Sequence, residues 1–67
     1  MFDNNKLKKL AEKKNLTIYR ISKETGITES YINSLFNGKQ SNPSVRVAYK
    51  IATLLDVKIE DLLKVGD

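Results

Sequence analysis

With 67 residues the chain has room for one domain, and a domain so short buries only about 60% of the surface its unfolded form exposes, which leaves a thin core. It contains no cysteine and no histidine, which excludes disulfides and the usual structural zinc sites and offers neither a nucleophile–base pair nor a catalytic metal centre. The formal charge of +4 is unevenly spread: residues 1–50 carry ten lysines and arginines against four acids, or +6, and residues 51–67 carry two against four, or −2, so the front of the molecule suits an anionic partner.

No apolar run approaches the roughly 20 residues that span a bilayer, and the charged stretch Met1–Lys14 has no signal-peptide segment. A soluble, cytoplasmic protein is expected, with no membrane partner, no enzymatic activity, no metal and no cofactor. Residues 1–67 read as one unit, without repeat, low-complexity tract or linker, and Pro43 is the only proline.

β-Branched residues stand singly at helical spacing and never in a sustained period-two run, so every element reads as a helix. The first spans Asn5–Lys14, where Leu7, Leu10 and Ala11 share a face and lysines cover the rest; it ends at Asn15. Thr17, a good N-cap, opens a second helix over Ile18–Thr25, with Ile18 and Ile21 inward and Gly26 as a left-handed C-cap. Ile27 then plugs the core, and Thr28 caps a third helix, Thr28–Phe36, whose apolar stripe is Ile32, Leu35 and Phe36. The turn dipeptide Asn37-Gly38 ends it. After a loop to Pro43, Ser44 caps a fourth helix, Val45–Leu55, with Val45, Ala48, Ile51, Ala52 and Leu55 at helical spacing and Asp56 at its C-cap. A fifth, Lys58–Leu63, has Glu60 and Asp61 in a first turn, where acids complement the helix dipole, and an apolar side of Ile59, Leu62 and Leu63.

Joining the second and third helices through Thr25-Gly26-Ile27-Thr28 makes an angular pair from which the later helix can project. The DNA major groove, about 12 Å wide, admits one such helix. Packed through Ile32 and Leu35, the third helix turns Glu29, Ser30, Asn33 and Ser34 to its opposite side.

Here the chain resembles, over nearly its whole length, the phage-repressor-like (Xre-type, Cro/repressor) helix-turn-helix family. The resemblance rests on Leu16-Thr17, Thr25-Gly26-Ile27-Thr28, Ser30-Tyr31-Ile32, Asn37-Gly38-Lys39, Asn42-Pro43-Ser44, Lys50-Ile51-Ala52 with Leu55 and Val57, and Glu60-Asp61-Leu62-Leu63. These pieces are specific only together, in this order and spacing. They imply an all-α, compact five-helix lambda-repressor-like domain, with the helix-turn-helix at helices two and three, acting as a sequence-specific, repressor-like transcriptional regulator on double-stranded DNA. The resemblance further implies base contacts from Glu29, Ser30 and Ser34, with Asn33 adjacent, and phosphate contacts from Thr17, Thr28, Asn37, Lys39, Gln40, Ser41 and Ser44. Helix N-termini present free amides and a positive dipole end to anions, which supports this division. Tyr31 is a further phosphate candidate through its hydroxyl, or its ring covers the turn.

Two departures from the family pattern stand out. Ile18 occupies the position after the helix-two cap where relatives usually carry a phosphate-clamping glutamine, and Ala11 and Phe36 stand where many carry an arginine–glutamate pair. Apolar replacement of both partners of a buried ion pair can be neutral or stabilising, so Phe36 is expected to pack close to Ala11. Glu29 has two readings: it accepts a hydrogen bond from a cytosine amino group, or it serves only the helix dipole. Lys6, Lys9, Lys13 and Lys14 read as a solvated helix face, which leaves Lys39 as the favoured phosphate ligand. Ile59, Leu62 and Leu63 are more often intramolecular core than interface, yet a thin domain reading a long groove gains from pairing two copies, so a homodimer is expected, with these three as the candidate surface. The rival reading is a protein-interaction module of the same fold that docks on another regulator without reading DNA.

Overall fold

The computed structural model describes residues 2–64. It contains four α-helices, α1 (Asn4–Lys13), α2 (Ile18–Thr25), α3 (Glu29–Phe36) and α4 (Val45–Leu55), followed by a short 3-10 helix, Ile59–Leu62. The expected fifth α-helix is thus a single 3-10 turn. Four residues are too few to repay helix nucleation, and Leu63 is already extended and forms an isolated antiparallel bridge with Phe2.

Each helix begins where a short polar side chain satisfies an otherwise unpaired amide. Thr17 Oγ1 accepts from the Arg20 amide at 3.1 Å, Thr28 Oγ1 from Tyr31 at 3.2 Å and Ser44 Oγ from Val47 at 3.3 Å. The first helix starts one residue earlier than expected because Asp3 caps it, its Oδ1 accepting from Asn5 at 2.9 Å and Lys6 at 3.2 Å. Its end reverses through Asn15 at φ 57°, with the Leu16 amide donating to the Ala11 carbonyl at 2.9 Å. Asp56 at φ 58° ends α4 in the same way, the Val57 amide donating to Ala52 at 3.0 Å. Both residues tolerate the left-handed region that such helix ends require.

Eleven apolar residues make the core, and no polar or charged side chain is buried among the described residues. One cluster joins Phe2, Leu7, Leu35, Ala48, Ile51, Ala52, Leu55 and Leu62; a second joins Ala11, Ile21 and Ile32. Half-buried Leu16, Ile27 and Phe36 pack against both, so α3 is wedged between the two through Leu35 on one side and Ile32 on the other. Phe36 meets the cluster that contains Ala11, the packing expected for this pair of apolar residues.

Three apolar residues are revised or decided by the structure. Val45 is 79% exposed, because it opens α4 at the edge of the buried arc, and Val47 packs on the core instead. Leu62, read as core or as a candidate dimer contact, is fully buried in the chain's own core, while Ile59 and Leu63 are half-buried against it. Phe2, which the periodicity left unassigned, is 3% exposed. Among the described residues no helix is long and apolar enough to cross a membrane.

Candidate nucleic-acid interface

The turn between α2 and α3 sets the angle at which α3 leaves the body. Gly26, at φ 77°, reverses the chain, a conformation open to glycine at no steric cost. Thr25 then pins the turn from within: its Oγ1 donates to the Ile21 carbonyl at 2.7 Å and accepts from the Ile27 amide at 3.2 Å. The Ser22 hydroxyl donates to the Ile27 carbonyl. These ties hold Thr28, and with it the start of α3, relative to α2.

Along α3 the buried stripe is Ile32 and Leu35, both 0% exposed. At 100° per residue the opposite side carries Ser30, Asn33 and Ser34, extended by Asn37 one turn further on. Glu29, Ser30, Asn33 and Asn37 are exposed and Ser34 is half-buried. The Ser34 hydroxyl donates back to the Tyr31 carbonyl at 2.6 Å; its proton is committed, so toward a base edge it can only accept. Asn33 keeps both amide donors and its carbonyl available, the set that pairs bidentately with adenine. Glu29 is the acidic residue of the first turn of α3. Tyr31 is half-buried with its side chain packed on the larger core cluster.

The loop after α3 folds back on it. The Asn37 Oδ1 accepts from the Lys39 amide at 3.0 Å, Gly38 adopts φ 84°, and the Gln40 amide donates to the Ser34 carbonyl at 3.0 Å. Ser34, Asn37, Lys39 and Gln40 therefore gather at the C-terminal end of α3, with Lys39 exposed. The Gln40 side chain turns inward to the loop, its Oε1 accepting from the Asn42 amide at 3.1 Å. Ser41 is half-buried and its carbonyl accepts from the Phe2 amide at 2.7 Å.

Thr28 stands at the other end of α3, while Thr17 and Ser44 lie at the N-termini of α2 and α4. All three hydroxyl oxygens accept backbone hydrogen bonds, which leaves each O–H and the first amides of each helix free to donate outward. Ile18 is half-buried against Ala11, Ile21 and Ile32, so it braces α2 from inside and offers nothing to a phosphate. Sequence reading passed over two residues near this surface. Arg46 is exposed in the first turn of α4, two places after the Ser44 cap. Asn4 donates from Nδ2 to the Phe36 carbonyl at 3.2 Å, across 32 residues.

Elsewhere the surface is less specific. Arg20 and Glu24 form an exposed ion pair at 3.2 Å on α2, and Lys23 stands 5.9 Å from the Tyr19 ring. Two open grooves of about 310 and 270 Å³ flank exposed Tyr49 and involve none of the α3 polar face. Among the described residues no group of three or more potential ligands could hold a metal ion.

A short helix held by its apolar side, with a polar opposite side and a loop carrying a lysine at its end, is the arrangement of a groove-reading helix-turn-helix. The pattern of the helix-turn-helix family matches residues 7–62, and the chain belongs to that family. It is 40% identical over 58 residues to an uncharacterized HTH-type transcriptional regulator of Methanocaldococcus jannaschii, covering 87% of this chain and 86% of that protein. A second uncharacterized HTH-type transcriptional regulator, from Archaeoglobus fulgidus, is 39% identical over 57 residues, covering 85% of this chain and 79% of that protein. The HTH-type transcriptional regulator SinR of Bacillus licheniformis is 27% identical over 62 residues, covering 92% of this chain and 56% of SinR; the chain thus spans about half the length of the SinR proteins it matches. No solved structure matches.

Proposed function

We propose that this helix-turn-helix domain is a sequence-specific, repressor-like transcriptional regulator of the cytoplasm that lays α3 in the major groove of double-stranded DNA. The observation that carries the reading is the sidedness of α3: Ile32 and Leu35 are fully buried, and the opposite side presents exposed Ser30 and Asn33. Asn33 and Ser34 then read base edges, with Glu29 and Ser30 at the tip. Lys39 and the hydroxyls of Thr17, Thr28 and Ser44 hold phosphates, helped by Asn37, Gln40, Ser41, the Tyr31 hydroxyl and Arg46. Phosphate contacts set register and base contacts set sequence, so the two groups differ in what their loss does.

Selection of bound sites from random DNA, followed by titration of the selected site and of mixed-sequence DNA at several salt concentrations, tests this. Asn33→Ala is expected to weaken the selected site by about 1 to 3 kcal/mol and relax preference at one base pair, with mixed DNA unaffected. Lys39→Ala is expected to weaken both DNAs alike and to flatten the salt slope by about 1. Absence of binding at low salt would instead favour the protein-docking reading, since phosphate-driven affinity is greatest there.

Two copies on one operator would lengthen the sequence read. With Leu62 in the core, the pairing surface falls to the exposed Tyr49 and the neighbouring half-buried Ile59, which line one groove together. A palindromic selected sequence and a dimer mass in sedimentation would support it; a single half-site bound by a monomer would refute it.

A further inference from the structure

Besides the bonds that the phosphate-gripping loop makes within itself and to the Ser34 carbonyl, it is anchored from the N-terminal end of the chain. We propose that Asn4, the first residue of α1, is a positioning residue that clasps this loop against the end of α3; the inference rests on the DNA-reading assignment of that loop. Three contacts meet here. Asn4 Nδ2 donates to the Phe36 carbonyl at 3.2 Å, supplying a donor to one of the carbonyls a helix end leaves unpaired. The same side chain lies under Gly38, whose position would bring a Cβ to 3.6 Å from Asn4 Cγ. Two residues earlier the Phe2 amide donates to the Ser41 carbonyl at 2.7 Å.

The clasp is itself fixed. Phe2 is buried at 3% exposure, the Asp3 amide donates to the Leu62 carbonyl at 2.8 Å, and Lys6 Nζ donates to the Leu63 carbonyl at 2.9 Å. Segment 2–6 thus ties the loop on one side to the chain's last described turn on the other. Lys39 lies in sequence between the Asn4–Phe36 tie and the Phe2–Ser41 tie, so its backbone is held at both flanks while the residue stays exposed. Asn4 contacts no DNA in this arrangement; it sets where Lys39 stands.

Amide exchange of the free protein and DNA binding, measured on Asn4→Ala, Asn4→Asp and the control Asn5→Ala well below their melting temperatures, test the clasp. Asn4→Asp keeps the side chain's size and favours the start of α1 through the helix dipole, but loses the donor, so it separates loop position from fold stability. Both Asn4 variants are expected to speed exchange at Lys39 and Gln40 by about fivefold, the value of one hydrogen bond, with α4 amides unchanged. Asn4→Ala should also weaken selected and mixed DNA alike by about fivefold and flatten the salt slope by about 0.9, one phosphate's share. Loop exchange in either Asn4 variant equal to that in Asn5→Ala overturns the clasp, whatever the DNA result. Failure of the unaltered protein to bind DNA overturns the DNA reading and leaves loop exchange to decide the clasp by itself.

Discussion

Leu35→Ala is expected to remove roughly 2 to 5 kcal/mol of stability, the range for emptying a fully buried leucine site, and so to leave much of the protein unfolded at 37 °C. A chain of this length holds in total only about 3 to 10 kcal/mol. Leu35 is 0% exposed and is the residue through which α3 enters the larger core cluster, beside Leu7, Ala48, Ile51 and Leu55. Among the described residues no polar side chain is buried, so no rearranged hydrogen bond within the core can offset the cavity. Urea unfolding followed by circular dichroism measures the effect as a fall in midpoint at constant slope. DNA present at 100 times its dissociation constant should restore about 2.7 kcal/mol, because only the folded form binds it. A midpoint within experimental scatter of the unaltered protein would show that α3 is not held by this contact, and the sidedness on which base reading depends would fall with it.

The elements that could be read from the sequence are those whose signals are local. Thr17, Thr28 and Ser44 each announce a helix start within three residues of the amide they cap, and Gly26 announces the turn in the same span; the structure places all four as expected. The exposed side of α3 was legible for a related reason: fixing Ile32 and Leu35 as the inward pair fixes Ser30 and Asn33 as outward. What stayed hidden joins distant residues. The bond from Asn4 to Phe36 spans 32 positions and that from Lys6 to Leu63 spans 57, and a lone Phe2–Leu63 bridge has no period at all. Ile59, Leu62 and Leu63 carry helical spacing, but spacing does not reveal that the turn closes after four residues or that Leu62 faces its own core. Val45 misled by the same route: it has the right spacing but sits at a helix end where nothing covers it. Within the candidate site, the back-bond of the Ser34 hydroxyl to Tyr31 limits that side chain to accepting, which residue type alone does not disclose.

Ala11→Arg is expected to cost roughly 3 to 5 kcal/mol, the penalty typical of a buried charge without its partner, and Phe36→Glu in the same molecule to recover most of it. Ala11 is 1% exposed in the cluster with Ile21 and Ile32, and Phe36 packs half-buried on that cluster from the end of α3. The double variant installs an ion pair where this chain uses apolar contact. Each single change leaves one group stranded: a guanidinium against Ile21 and Ile32, or a carboxylate in place of a ring. A double-mutant cycle by urea unfolding isolates the pair, and a coupling of about 2 kcal/mol or more is expected, within the range seen for residues in contact. Additive single losses would mean that Phe36 and Ala11 do not share a site. The cycle also has a functional arm. Because Phe36 adjoins both the Asn4 bond and the loop that follows, the double variant should keep its melting temperature near that of the unaltered protein only if α3 retains its seat. Retained preference for the selected DNA site would then show that an ion pair and an apolar pair place the reading helix equally well.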